Sequence, residues 1–529
     1  MPDILLATLN AKFIHTAFGL RYLFANLGDL QGYAAIAEFD INQRPLDIAE
    51  SLLARAPRIL GLGVYTWNAT ETTEVVALIK RLRPDLKIIL GGPEVSFEMD
   101  AQEIVRLADH VISGEGDLMF AEVCRRLLDQ ESIFARSHVR IGDSMSATAL
   151  AALPKIIPAD PPDFARLALP YEFYTDADLA HRIVYVEASR GCPFTCEFCL
   201  SSLEVPVRAV PLEHFLAAMR KLLDRGLRQF KFVDRTFNLN VATSRAILEF
   251  FLARHQPGNF YHFEMIPDRL PAELRAVIAR FPPGALQFEV GVQTFNPEVG
   301  QNISRRQNYE RLADNFNFLR QQTRVHIHAD LIVGLPGETV ESFAAGFDRL
   351  VALGPQEIQV GILKRLRGTP IVRHDTEWQM IYSPQPPYEI LQNRLIDFAT
   401  LQRLRRFAKY WDLIGNSGNF VATTPLVWHG TSPFAGFLRL SDWLYAHLGR
   451  TDTIALARLA ELLFQFLTHE VSLPAAEAAA AMAGDWQRAG RRAVPEFLRE
   501  FLPAENGRAV PATKIALPKR QARHMGDLP

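Results

Sequence analysis

Ser189-Arg190-Gly191-Cys192-Pro193-Phe194-Thr195-Cys196-Glu197-Phe198-Cys199 decides how this chain is read. Its spacing, Cys-x3-Cys-x2-Cys, puts three thiolates on one short loop. Three thiolates can hold three irons of a [4Fe–4S] cluster and leave the fourth open to another ligand. A structural zinc site wants four ligands, usually in Cys-x2-Cys pairs. The only other cysteine, Cys124, is far away in a helical pattern and reads as a small buried hydrophobe. Zinc, or plain buried cysteines, is the competing reading. The loop follows the apolar run Ile183–Ala188, a strand candidate, and barrels build their sites at the carboxyl ends of strands.

Outward from this loop, strand and helix patterns alternate over residues 179–400. Further strand candidates are Gln229–Val233, Tyr261–Ile266, Leu286–Val292, Val325–Val333 and Glu357–Leu363, with helix-length segments between them. This predicts a partial, TIM-like (β/α)6 barrel. Upstream, residues 1–135 alternate buried strands (Ile4–Ala7, Ile59–Val64, Ile88–Leu90, His110–Ser113) with helices, and glycine turns fall where strands finish. An α/β, doubly wound, Rossmann-like parallel sheet follows, with ligands expected outside its strand carboxyl ends. Residues 136–178 carry scattered prolines and read as a surface linker. Residues 401–529 are alanine-rich and helical, and Lys519-Arg520-Gln521-Ala522-Arg523 reads as a frayed, solvated tail.

Composition narrows the function classes. The 529 residues are 48% hydrophobic and 22% charged, with a formal charge of -2, which is ordinary for a globular protein and argues against a broadly basic nucleic-acid surface. No run of about 18 apolar residues offers a spanning helix. Met1–Asn10 reads as a strand rather than a secretory signal. Four cysteines, three of them clustered, exclude a disulfide scaffold and suit a reducing cytoplasm.

Strand alternation places His326, His328 and Asp330 on one face, Glu289, Gly291 and Gln293 on another, and His262, Glu264 and Ile266 on a third. Facing inward, they would line a ligand-filled, partly open barrel. Facing outward, they would bond to covering helices.

The cysteine loop, with aromatic Phe198 before its last cysteine, resembles that of the radical S-adenosylmethionine (SAM) superfamily. Phe232–Asn238, Gly291–Asn296 and Asp330–Thr339 resemble strand-end motifs of that superfamily. The resemblance implies that Cys192, Cys196 and Cys199 hold the cluster and that SAM chelates the open iron. Cleavage of SAM would give a 5′-deoxyadenosyl radical. It also implies that Phe198 belongs to the SAM site, that Asp234 lies near the methionine end, that Gln293 lies near the substrate or ribose, and that Gly334 and Gly337 shape the loop beside the adenine. The usual Gly-Gly-Glu is replaced by Asp234-Arg235. On the residues alone, Gly334 and Gly337 could make a tight turn and Asp234 could cap a helix.

The first domain looks like the cobalamin-binding domain of B12-dependent radical enzymes, on the segments Leu9–Gly19, Gly61–Asn68, Leu90–Glu94 and Ser113–Asp117. The resemblance implies corrinoid contacts at Asn10, His15, Tyr65, Thr66, Gly91, Gly92, Gly114 and Glu115. The Asp-x-His-x-x-Gly pattern of His-on corrinoid proteins is broken: Phe13 stands at the Asp place and three residues separate His15 from Gly19. Base-off binding without a histidine ligand is expected, with His15 capping a helix or touching corrin side chains. Gly61-x-Gly63 lacks the third glycine of a dinucleotide fingerprint, and no P-loop exists. A vestigial domain that shapes the substrate cavity is the alternative.

Over residues 1 to about 400 the chain is similar to enzymes of the anaerobic magnesium-protoporphyrin cyclase type and their methyltransferase relatives. The remainder resembles a helical C-terminal domain of unassigned function. The resemblance implies a [4Fe–4S] cluster, SAM and cobalamin as cofactors. It implies methylation of an unactivated carbon of an unknown organic substrate and an external electron donor of the flavodoxin or ferredoxin class. The alternatives are radical oxidative cyclisation or ring rearrangement, and a non-catalytic corrinoid or redox sensor.

Overall fold

The computed structural model describes residues 1–136, 153–203, 206–491, 493–502 and 518–525. Its first sheet comprises β1 (Ile4–Asn10), β2 (Ala34–Asp40), β3 (Ile59–Gly63), β4 (Lys87–Gly91), β5 (His110–Gly114) and β6 (Ile156–Ala159). All neighbours pair in parallel, in the order β2-β1-β3-β4-β5-β6. Alternating residues of the buried strands feed two cores. Leu5, Ala7, Leu60, Leu62 and Ile88 meet Ile48, Val76 and Ile79 of the helices on one face. Ile4, Leu6, Ile59 and Ile89 meet Leu20, Phe120 and Cys124 on the other. This is the double cover a parallel sheet needs. Burial pushes the Cys124 thiol up to about 12, so it behaves as a buried hydrophobe rather than a thiolate.

The stretch read as a linker over 136–178 is corrected in its second half. Ile156–Ala159 is the sixth strand, with Val111 opposite Ile156, and Asp176–His181 is a short helix with a Thr175/Asp178 capping box. Pro158 disguised the strand, yet an edge strand tolerates proline. The edge strand β2 was also illegible, because alanines and Glu38 give it no continuous apolar run.

The second sheet opens with β7 (Val184–Val186), while β8 (Ser189–Arg190) and β9 (Arg208–Ala209) form a separate short antiparallel pair. The second sheet continues with β10 (Gln229–Phe232), β11 (Phe260–Met265), β12 (Leu286–Gln293), β13 (His326–Val333) and β14 (Glu357–Ile362). Strands pair in parallel in the order β14-β13-β12-β11-β10-β7, and β14 and β7 do not close on each other. The six-stranded open barrel matches the sequence expectation. Its outer core is phenylalanine-rich: Phe232 lies 4.4 Å from Phe263, ring centre to ring centre, and 6.0 Å from Phe251.

The two sheets are stitched at the start of the barrel. Ile183 N–H donates to the Ile14 carbonyl at 2.8 Å, and Arg21 pairs with Asp178 at 2.8 Å. After β14 a small hairpin, β15 (Ile381–Tyr382) and β16 (Ile390–Gln392), precedes helices 398–413, 433–448, 456–465 and 475–488. The last described segment is not a frayed tail. Lys519–Met525 is a helix seated at the amino ends of β12–β14. Arg520 pairs with Glu357 and with Asp412, both at 3.0 Å. Gln521 bonds Gln287 at 2.6 Å, and His524 meets the Asn416 carbonyl at 2.9 Å. Two of these partners, Glu357 and Gln287, are buried at the strand starts, which the charged sequence alone could not reveal.

Candidate active site

A cavity of about 240 Å³ opens at the carboxyl ends of the barrel strands. Cys192, Cys196, Phe198 and Cys199 form one wall, and Glu289, Gln293 and Asp330 rise from β12 and β13 on the other. The three thiols are free of disulfides, so they are available as ligands. Glu264, Ile266, Glu289, Gly291 and Asp330 all line the cavity, so the inward facing of those strand sides is what the structure adopts.

The cysteine loop is braced from both sides. Glu197, 3% exposed, accepts from Ser304 Oγ at 2.5 Å and from His374 Nε2 at 2.9 Å, and pairs with Arg373. Asp234, 2% exposed, accepts from the Ala188 N–H at 2.9 Å and the Ser189 hydroxyl at 2.6 Å. Burial pushes its carboxyl up to about 7 against those hydrogen bonds. Asp234 therefore braces the loop and is not among the residues that line the cavity. Its neighbour Arg235 lines the cavity and pairs with Glu264 at 3.0 Å.

Gln293 does line the cavity, at the end of a register shift between Gly291 and Gln293. Its φ of 69° is unusual for a residue with a side chain, and such strain gathers at functional sites. Gly334 and Gly337 are not at the cavity wall. They hold positive φ in a turn where a Cβ would meet Ile390 at 2.8 Å and the Asn302 side chain at 2.6 Å, so they serve as turn glycines. Arg305 was missed in the sequence. Its guanidinium reaches Cys196 Sγ at 3.4 Å and also the Gly291 carbonyl. The arginine pair Arg305-Arg306 just after a helix was the one signal, and it reads equally as solvated surface.

The expected turn residue Glu338 is 2% exposed and accepts from Thr294 Oγ1 at 2.6 Å. Burial pushes it up to about 7. A carboxyl raised on folding contributes no penalty below its unfolded value and a full penalty above its folded one. Stability should fall as pH rises from about 4.5 to about 7, by up to ~3 kcal/mol from this group. Glu338→Gln should flatten that part of a plot of Tm against pH, measured by circular dichroism.

A second cavity, of about 270 Å³, lies at the carboxyl ends of the first sheet. Of the residues expected to contact a corrinoid, Tyr65, Gly91, Gly92 and Gly114 line it. The others do not. Asn10 donates to Glu38 at 2.8 Å. His15 Nδ1 meets the Tyr185 hydroxyl at 2.6 Å, which commits it to the barrel rather than to a helix cap. Thr66 is half-buried beside the cavity lining. Glu115 turns to Arg190 at 2.9 Å and to Arg208.

The glycines keep this space open. A Cβ on Gly61 would meet Phe120 at 2.7 Å, and one on Gly114 would meet the Ala159 carbonyl at 2.7 Å. Gly92, at φ 107°, would drive a Cβ into the Val64 carbonyl. Gly92→Ala should destabilise the chain by about 1–3 kcal/mol, from strain at positive φ, read as a lower Tm.

Arg190 joins the two cavities. It lines the second cavity two positions before Cys192. It pairs with Glu115, Asp117 and Glu187, each at 2.9 Å, and lies over the Tyr22 ring at 4.5 Å. Tyr22, 1% exposed, has a hydroxyl without a hydrogen-bond partner at the cavity lining.

With this geometry in place, comparisons with known proteins show what the chain is similar to. The radical SAM superfamily model matches residues 186–350, the B12 binding domain model residues 4–124, and a protein family of unknown function, DUF4080, residues 376–511. The chain thus carries a B12-binding domain followed by a radical SAM domain. The third match begins ahead of the boundary at 401 expected from composition and takes in the β15–β16 hairpin.

Among individual proteins, the chain is 24% identical to an uncharacterised methyltransferase, PH0819, of Pyrococcus horikoshii, over 56% of this chain and 65% of that one. It is 24% identical to the cobalamin-dependent radical SAM methyltransferase TokK of Streptomyces tokunonensis, over 58% of this chain and 47% of that one. It therefore spans about half to two thirds of the length of these curated relatives. The fold is shared with the cobalamin-dependent SAM radical enzyme OxsB, with a TM-score of 0.59 and 13% identity over 99% of this chain and 84% of that one. Among the described residues, no helix is long and apolar enough to cross a membrane.

Proposed function

We propose that this chain is a cobalamin-dependent radical SAM methyltransferase that methylates an unactivated carbon of an organic substrate. One observation carries the reading: the two cavities meet on a single segment. Glu187 and Arg190 line the first domain's cavity, and Cys192, Cys196 and Cys199 line the barrel's.

The residues fit the groups this requires. Three free thiols on one loop suit a site-differentiated [4Fe–4S] cluster. A glycine-floored, largely apolar cavity with one orphaned hydroxyl, on Tyr22, suits the tail of a base-off corrinoid. When bound, these groups would supply reductive cleavage of SAM and a transferable methyl group. The chain's own part is positional. Arg305 holds a positive charge 3.4 Å from Cys196 Sγ at the cavity wall, where it could pair with a carboxylate of a bound ligand. Arg235 and Glu264 fix each other at the cavity wall. Gln293 presents an amide from its strained bulge. With only four cysteines the chain has none to spare for a second cluster. An external donor of the flavodoxin or ferredoxin class, in a reducing cytoplasm, is the matching electron source.

The test is anaerobic. Protein loaded with iron, sulfide and hydroxocobalamin, given SAM and a strong reductant, should release 5′-deoxyadenosine and S-adenosylhomocysteine. With substrate supplied from a candidate pool, a product one methylene heavier should appear. Fully loaded protein that releases neither small molecule would defeat the proposal.

A further inference from the structure

The first domain is tied to the barrel near both ends of the barrel sheet. At the β7 end lie the Ile14–Ile183 hydrogen bond, the Arg21–Asp178 pair and an Arg182–Glu38 pair at 2.8 Å. Attachment on one side alone would leave a pivot, and relative motion is the default for domains joined by small interfaces. A second set of contacts stands at the β14 end. There the stretch after β14 meets the loop after β4, whose Gly91 and Gly92 line the first domain's cavity.

These contacts are specific and largely buried. Glu94, 4% exposed, accepts from Arg367 Nε at 2.8 Å and from the Tyr388 hydroxyl. Arg367 also donates to that hydroxyl at 3.0 Å, and its guanidinium lies 4.9 Å from the Tyr388 ring centre. Arg365 and Arg367 pair with Glu98 at 3.3 and 3.2 Å. A Cβ on Gly368 would fall 2.4 Å from the Phe97 ring, so a glycine lets the backbone lie against it. Glu98 and Tyr388, on the two sides of the contact, hold φ of 49° and 58°. Such strain persists only where the surrounding structure imposes it.

The same stretch reaches the cysteine loop. Ile371 N–H donates to the Glu197 carbonyl at 3.0 Å, and Arg373 and His374 hold the Glu197 side chain. The turn between β15 and β16 is tied to it as well. Arg365 N–H donates to the Tyr388 carbonyl at 3.0 Å, and Ile390 N–H to the Leu363 carbonyl at 2.9 Å.

We propose that residues 365–374, together with Tyr388, form a clamp that sets the first domain's cavity opposite the barrel's, with Arg367 and Tyr388 as positioning residues that act through Glu94. The clamp grips the loop behind Gly92 at one end and the loop of Cys196 and Cys199 at the other, so a shift of one loop is passed to the other. Tyr388 falls within the residues matched by the family of unknown function, which gives that third region a part in aligning the other two. The alignment stands without the methyltransferase reading. Its effect on methyl transfer rests on that reading, because transfer between two sites is sensitive to small misplacements.

Pulsed electron spin resonance measures the alignment. Full-length Cys192→Ala/Cys196→Ala/Cys199→Ala protein carries nitroxides at Leu82→Cys on the first domain and Arg220→Cys on the barrel, both exposed positions. Cys124 is buried and stays unlabelled. Arg367→Met/Tyr388→Phe, and separately Glu94→Gln, should widen the distance distribution about twofold, with the milder Arg367→Lys in between. Arg403→Met removes a surface pair with Asp442 outside the clamp and should leave the distribution unchanged. Distributions equal to the parent's in both the double variant and Glu94→Gln would overturn the clamp.

A second readout uses protein with its cysteines intact, loaded with iron, sulfide and hydroxocobalamin and given SAM and reductant. 5′-Deoxyadenosine arises in the barrel alone, whereas S-adenosylhomocysteine needs both cavities. Arg367→Met/Tyr388→Phe should shift their ratio at least about tenfold against S-adenosylhomocysteine. A widened distribution with an unchanged ratio would overturn the positioning role of Arg367 and Tyr388. Loaded wild-type protein that releases neither product would defeat the methyltransferase reading, and the distance measurement alone would then decide the clamp.

Discussion

Cys192→Ala, Cys196→Ala or Cys199→Ala should each reduce reconstituted iron from about four per chain to background and abolish 5′-deoxyadenosine release. The argument is one of ligand count. The loop offers three thiolates, and the remaining cysteine, Cys124, is buried in the first domain's core. Losing one thiolate leaves a second iron corner without a protein ligand. Iron content by inductively coupled plasma spectrometry and the cluster absorbance near 400 nm are the readouts. A triple alanine variant that keeps both iron and SAM cleavage would remove the cluster from the account.

Arg190→Met should cost about 3–5 kcal/mol of stability, because it leaves Asp117 and Glu187 buried without their cation, while Glu115 keeps Arg208. The side chain is 15% exposed, so solvent does little to soften the loss. Burial already raises the Glu187 carboxyl against the pull of Arg190, so its protonation would accompany the substitution. Arg190 is also two residues from Cys192, and the same change should loosen the loop and lower retained iron. Arg190→Lys keeps the charge but cannot bond three carboxylates in fork geometry, and should fall between. Thermal unfolding and iron content are measured together. A variant with wild-type values of both would show that the ion cluster is idle.

Much of the fold was legible because buried parallel strands announce themselves as apolar runs. All six barrel strands lie within a residue or two of where those runs place them. What escaped was at the edges. β2 carries Glu38 and alanines, and β6 carries Pro158, so neither looks like a strand until its neighbour is known.

The site divides in the same way. The thiolates were visible because their spacing is chemical rather than conformational. The strand-face carboxylates were visible as a period-two pattern, which settled their side of the barrel once the sheet was formed. Contacts across domains were not. Glu115 shows a carboxylate after a glycine turn, and nothing local says that two arginines about 75 and 93 positions later will claim it. Nor does anything local to Asp234 say that its oxygens accept from the backbone and hydroxyl of the loop it props.

The helix Lys519–Met525 has a practical bearing on how this protein is handled. A chain shortened at residue 511, where the third family match stops, would lose the wedge under the barrel. Glu357 and Gln287 would then face water through an unsealed floor, and an affinity handle fused at the far terminus would hang from that same stopper.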